Sequence, residues 1–284
     1  MKSKTLEILK HSLKSGKAVG AFNTSNMEIT QAISMAANNL KIPCIIQITV
    51  STMDYSFNTI GDLVKSNIKR LGGDTEIGFH LDHGHSLHDI TKAIDLGVDS
   101  VMIDASRMTL EENIEITKKV VEYAHLKGVA VQAELGKVPY LGKESLEINW
   151  EEVMTKPEEA EQMVKETGID ALAVAIGNAH GFFREKKEPD WERLKEIRKR
   201  LPETPLILHG ASDWVNGKVV KAIDGGINAF NIDTDTRVAF CGAICKIAGG
   251  EHCEVSDPRK ILKVAREEAQ KAIEKKMKMF NLNN

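Results

Sequence analysis

Three of the nine histidines in the chain, His83, His180 and His209, follow closely on short apolar runs. An imidazole at the end of a buried strand is held firmly while its ring nitrogens face open space. Three such rings meeting with one coordination position left open make a catalytic zinc site, because zinc takes nitrogen ligands tetrahedrally and then polarises a substrate oxygen. His80, His85 and His88 crowd the same segment as His83. His80 lies two residues before Asp82 inside its apolar run, which assigns it a hydrogen-bonding place in the interior. His11, His125 and His252 fall in helical or loop contexts and are read as structural.

Carboxylates accompany these histidines. Asp82, next to His83, is suited to general acid/base work at a substrate hydroxyl, or to orienting a ligand histidine. Asp104 and Glu134 also end apolar runs, where they would support metal-binding imidazoles or offer an alternative metal position. Two loops carry small residues whose backbone N–H groups could face a phosphate: Gly177-Asn178-Ala179-His180-Gly181 and His209-Gly210-Ala211-Ser212, with Asn231 and Thr234 nearby. Tight-turn glycines without a ligand are the alternative reading.

These residues need a scaffold that brings distant segments together. Eight apolar runs read as strands, at 18–23, 43–49, 76–82, 100–106, 129–136, 171–177, 205–210 and 229–233, with helical patterns between most neighbours. Eight βα units in one chain predict a closed (β/α)8 barrel of parallel strands, a TIM barrel. A doubly wound open sheet is the runner-up, although neither G-x-G-x-x-G nor G-x-x-x-x-G-K-[ST] occurs. In such a barrel the chemistry sits at the C-terminal strand ends. There the runs end in Asn23, Gln47 with Thr49, Asp82 with His83, Asp104, Glu134, His180, His209, and Asn231 with Asp233. The whole chain, 1–284, is read as a single barrel domain with a C-terminal helical extension at about 258–280.

The composition narrows the function classes. With 42% hydrophobic and 28% charged residues among 284, the chain has material for one large core. Thirty-eight basic against 41 acidic side chains leave a net charge of −3, so neither nucleic acid nor an anionic membrane is called for. Four cysteines without a C-x-x-C spacing argue against a disulfide scaffold and for a reducing, cytoplasmic setting. No apolar run approaches the roughly 18 to 20 residues that span a bilayer.

Taken together, AFNTSN (21–26), HLDHG (80–84), SVMIDAS (100–106), AELG (133–136), TGIDALAVAIGNAHG (167–181), LHGAS (208–212) and NIDTDTR (231–237) resemble the class II, metal-dependent fructose-bisphosphate and tagatose-bisphosphate aldolases. The resemblance implies that His83, His180 and His209 bind the catalytic metal, usually zinc, and that Asp82 is the acid/base at the C4 hydroxyl. It sets the phosphate of the dihydroxyacetone half against Gly181, Gly210, Ser212, Asn231 and Thr234, with Asn23 also in the substrate site. Asp233, Arg237, Asp257 and Arg259 look like the version handling fructose 1,6-bisphosphate, in which an arginine such as Arg237 crosses a subunit interface. That implies a homodimer or larger homo-oligomer acting on a small phosphorylated sugar.

The chain departs from the family pattern in places. The usual HGGSG reads HGASD, so that Ala211 is expected to restrict a backbone position and Asp213 adds a negative charge. Arg184 stands where lysine is frequent. In the loop at 136–150, Glu144 is the nearest counterpart of a glutamate that moves a proton at C3, and Thr49 could supply the hydroxyl of a changed QxSxG motif. These departures keep two other readings open: an aldolase for another ketose phosphate, such as tagatose 1,6-bisphosphate, or a non-catalytic metal- and phosphosugar-binding barrel.

Overall fold

A computed structural model describes residues 3–139, 148–180, 188–248 and 257–282. The strands are β1 (Val19–Asn23), β2 (Cys44–Thr49), β3 (Ile77–Gly84), β4 (Ser100–Ile103), β5 (Ala130–Leu135), β6 (Ala171–Val174), β7 (Leu206–Leu208) and β8 (Ile227–Ile232). All pair in parallel, each with its sequence neighbours, and β8 closes on β1. The expected TIM barrel is therefore the fold. Among the described residues, helices α1 (Lys4–Ser15), α2 (Met27–Leu40), α3 (Val50–Tyr55), α4 (Ile60–Leu71), α5 (Leu87–Asp95) and α6 (Leu110–Leu126) occupy the first half. The second half holds α7 (Trp150–Val153), α8 (Pro157–Thr167), α9 (Trp191–Arg200), α10 (Asn216–Asp224), α11 (Thr234–Ala248) and α12 (Pro258–Phe280).

Local chemistry starts these helices. Ser3, Asn26, Ser86, Thr109 and Asp190 each cap a helix by accepting a backbone N–H, and Thr109 with Glu112 forms a reciprocal capping box. Alternation along the strands then sorts side chains into two layers. Val19, Ala21, Ile45, Ala171, Ala173, Ile207 and Ala229 fill the barrel interior together with Ile8 and Leu9 of α1, which plugs the N-terminal end. Their strand neighbours, including Phe22, Ile46, Leu81, Leu172 and Phe230, face the helices in the larger core.

Strand ends differ from the sequence expectation for identifiable reasons. β4 stops at Ile103 because the Asp104 side chain accepts from Ser106 N–H and its hydroxyl, which turns the chain. β6 stops at Val174, after which Ala175 N–H goes to Thr155 Oγ1 and Ile176 N–H to Asn178 Oδ1. β3 instead runs through a bulge between Leu81 and Gly84, with His83 at a φ of 50°. The C-terminal helix α12 packs on α11 and α2 and touches β1 and α10. No helix among the described residues is long and apolar enough to cross a membrane.

Candidate metal centre and active site

One strand and two loops deliver the histidines to one point. His83 ends β3, His180 follows β6, and His209 follows β7. Ring centroids are 4.8 Å apart for His83 and His209, 5.9 Å for His83 and His180, and 6.1 Å for His180 and His209. One nitrogen from each ring lies within 4.8 Å of the others.

Gly210 and Asn178 make this approach possible. Gly210 has a φ of +66°, and a Cβ there would sit 2.5 Å from the Ala179 carbonyl oxygen. Glycine is thus required where the loop after β7 meets the loop after β6. Asn178 then fastens the two loops, accepting from Ile176 N–H at 2.7 Å and donating to the His209 carbonyl at 3.0 Å.

Carboxylates surround the rings. His83 Nδ1 donates to Asp104 Oδ2 at 2.8 Å, which turns its Nε2 towards His209 Nδ1, 3.1 Å away. Glu134 Oε2 is 3.7 Å from His83 Nδ1 and is buried without a hydrogen-bond partner. Asp82 is held through both oxygens, since Asn23 Nδ2 donates to one at 2.7 Å and Asn231 Nδ2 to the other at 3.1 Å. Asn231 also lies 3.1 Å from His209 Nε2, so one amide connects the carboxylate to the histidine cluster.

Burial and charge shape the proton affinities. Burial disfavours the His83 cation, but Asp82 and the hydrogen bond to Asp104 outweigh it and raise its pKa to about 10. Burial, reinforced by His83, pulls His209 down to about 3. Burial pushes the Glu134 carboxyl up to about 8, with repulsion from Asp104 and Asp82 opposing the attraction of His83. Burial also acts to raise Asp82, yet His83, His209 and the bond from Asn23 hold it below the ordinary carboxylate value. The donor set suits a divalent transition metal: three imidazoles converge, a carboxylate fixes one ring, and a second buried carboxylate oxygen awaits a partner. Two groupings bring three ligand atoms within 4.8 Å of one another, His83 with His180 and His209, and His83 with Asp104 and Glu134.

The remaining sequence candidates are distributed as follows. His80 donates to or accepts from Ser100 at 2.9 Å inside the barrel. Ser212 and Asn231 are buried at the rim, Thr234 begins α11, and burial raises the pKa of Asp233, which pairs with Arg237 at 3.0 Å. Arg259 is 89% exposed and pairs with Asp257, the N-cap of α12. Thr49 caps α3 by accepting from Thr52 N–H, and its hydroxyl also lies 2.9 Å from Ser51 Oγ and 3.1 Å from Thr52 Oγ1. Ala211 is buried and has no left-handed backbone, so the restriction expected from replacing glycine does not arise. Glu144, Gly181, Arg184 and His252 lie outside the described residues.

Sequence reasoning passed over Asn178 as a member of its loop. It also passed over Gln132, whose Nε2 lies 3.4 Å from His209 Nε2. The signal for Gln132 was its place two residues before Glu134 on β5, which points both inward.

Comparison with known proteins agrees with this geometry. Residues 3–284 match the family model described as fructose-bisphosphate aldolase class-II. A fructose-bisphosphate aldolase of Geobacillus stearothermophilus is 37% identical over 276 residues, covering 96% of this chain and 95% of the relative. One from Helicobacter pylori is 38% identical over 303 residues, covering 98% and 97%. The crystal structure of an aldolase from Escherichia coli K12 superposes with a TM-score of 0.84 at 28% identity, covering 99% of this chain and 97% of the other. The chain belongs to the class II fructose-bisphosphate aldolase family.

Proposed function

We propose that this enzyme cleaves fructose 1,6-bisphosphate reversibly into dihydroxyacetone phosphate and glyceraldehyde 3-phosphate, with zinc held by His83, His180 and His209. The observation that carries the reading is Asp82, an ionised carboxylate fixed by two amides beside the histidine cluster. When bound, the metal supplies a Lewis acid that draws electron density from the C2 carbonyl.

The chain's own residues supply the rest. Asp82 takes the proton of the C4 hydroxyl as the C3–C4 bond opens; C4 becomes the aldehyde carbon, and the electron pair of the bond stays on the three-carbon ketone fragment. Asn23 and Asn231 hold the carboxylate in position for that transfer. Glu144, in the loop after β5, is assigned the proton delivered to C3, which completes dihydroxyacetone phosphate. Gly210, Ser212, Asn231 and Thr234, with Gly181, receive its phosphate at the rim, where barrels commonly bind phosphate between strands seven and eight. Asp233 and Arg237 are assigned to substrate recognition. Arg237, with a side chain 59% exposed, is assigned to the distal phosphate of a neighbouring subunit's substrate, a role that requires at least a homodimer.

The deciding experiment is a coupled triose phosphate assay on zinc-loaded protein with fructose 1,6-bisphosphate and its C4 epimer, tagatose 1,6-bisphosphate. Turnover that chelator abolishes, with the fructose sugar preferred in kcat/KM, is the expected result. Preference for the epimer would reassign the substrate. Metal binding without cleavage of either sugar would overturn catalysis altogether.

A further inference from the structure

Lys276 is the buried charge that the mechanism above leaves unused. It sits in the last third of α12 at 7% exposure, although lysine is rarely buried without a partner. Its Nζ donates to the Ser212 carbonyl at 2.5 Å and lies 3.0 Å from Asp235 Oδ2. Ser212 belongs to the loop after β7, and Asp235 stands in the first turn of α11, next to Thr234. One ammonium therefore joins the two segments that flank the rim between β7 and β8.

The space behind that loop explains why a strut is needed there. A cleft of about 450 Å³ lies between residues 212–216 and α12, with Trp214, Asp235 and Met279 on its walls. Lys276 lines this cleft together with Ser212 and Asp235, the two residues that it connects. The bond goes to a main-chain carbonyl, so it fixes the course of the backbone rather than one side chain. Backbone N–H groups are what a phosphate would read in this loop.

We propose that Lys276 is a positioning residue for substrate phosphate, setting the distance between the Gly210–Ser212 turn and the Asn231–Thr234 segment. This rests on the phosphate assignment made above. The C-terminal helix thereby takes part in substrate binding without touching substrate. Arginine at 276 would keep the charge and part of the connection, whereas methionine keeps the length and loses both the hydrogen bond to Ser212 and the ion pair with Asp235.

The test compares full-length wild type, Lys276→Met, Lys276→Arg, Asp235→Asn and Phe280→Leu. Phe280 stacks on Phe230 at 4.6 Å on the same helix and serves as a control for general loosening. Steady-state cleavage of fructose 1,6-bisphosphate, competitive inhibition by inorganic phosphate, zinc content and Tm are measured for each. Lys276→Met is expected to raise KM and the phosphate inhibition constant together by about ten-fold, the effect of losing a charge-assisted buried hydrogen bond, with kcat and zinc content close to wild type. Lys276→Arg should recover most of this, and Phe280→Leu should lower Tm without moving KM. Unchanged KM and phosphate inhibition in Lys276→Met, or a fall confined to kcat, would overturn the proposal while leaving the aldolase reading intact. If Lys276→Met does not fold, Asp235→Asn decides by the same criterion. If the wild type cleaves no ketose bisphosphate, the functional reading fails instead, and calorimetric titration with inorganic phosphate still decides: equal affinity in wild type and variant, or no binding to either, overturns the strut.

Discussion

His83 donates its Nδ1 proton to Asp104 across 2.8 Å, and this one bond fixes which nitrogen of the ring faces the other two histidines. Ser106 holds Asp104 in turn, through both its backbone N–H and its hydroxyl. Asp104→Asn should therefore weaken zinc binding by about 10- to 100-fold while leaving the fold intact. Competition with a fluorescent chelator measures this, and an unchanged affinity would make Asp104 irrelevant to the metal.

Asp82→Asn keeps the size of the side chain and removes the base. Turnover should fall about 100- to 10,000-fold with zinc content unchanged. Parallel measurement of kcat and bound zinc separates the roles, because equal losses of both would make Asp82 an orienting residue for the metal site.

Proton affinities in the metal-free protein predict how its stability varies with pH. His83 is raised from 6.5 to about 10, so its contribution is complete below pH 6.5 and disappears as pH rises through about 10. Glu134, raised from 4.5 to about 8, loses its contribution over that lower window in the same direction. His209, lowered from 6.5 to about 3, acts oppositely, and its contribution is lost as pH falls towards 3. Chelated protein should accordingly melt at a lower temperature at pH 9 than at pH 6, in scanning calorimetry. A zinc ion taken up by His83, as proposed, would displace its proton, so binding at pH 7.5 should release about one proton into weakly buffered solution. A Tm that climbs steadily to pH 9, or proton-free binding, would contradict these assignments.

Gly16 and Gly210 share a φ of +66°, but a Cβ at Gly16 meets nothing within 4 Å while one at Gly210 meets Ala179 O at 2.5 Å. Comparing the two alanine variants isolates the effect of loop contact. Gly16→Ala should cost about 1 kcal/mol for the left-handed backbone alone. Gly210→Ala should cost about 1–3 kcal/mol more, lowering Tm by several degrees, and should weaken zinc binding by moving His209 relative to His180. Equal Tm values for the two variants would show that the loops adjust freely.

Much of this architecture was readable from residue patterns. Their places at the ends of apolar runs put Asp82, Glu134, His209 and Asn231 at the C-terminal rim of a barrel, and all four are buried. Strand lengths were less readable, because at the ends of β4 and β6 the side chains of Asp104 and Thr155 take over the backbone N–H groups of Ser106 and Ala175, and Thr155 comes from a segment twenty residues away. Asn178 and Lys276 escaped for a related reason. Each acts by bonding to a main-chain carbonyl far away in sequence, and no local pattern records a partner of that kind. Thr49 shows the converse, since a hydroxyl of the right type at a strand end serves the following helix.

The left-handed backbone of His83 has an implication for engineering this centre. Only a few L-residues enter that region readily, chiefly asparagine, aspartate and histidine itself, and β-branched or bulky ones strain there. His180 and His209 have no such restriction. Attempts to retune the metal preference with a thiolate should therefore succeed more readily at 180 or 209 than at 83, where the main chain itself selects among donor atoms.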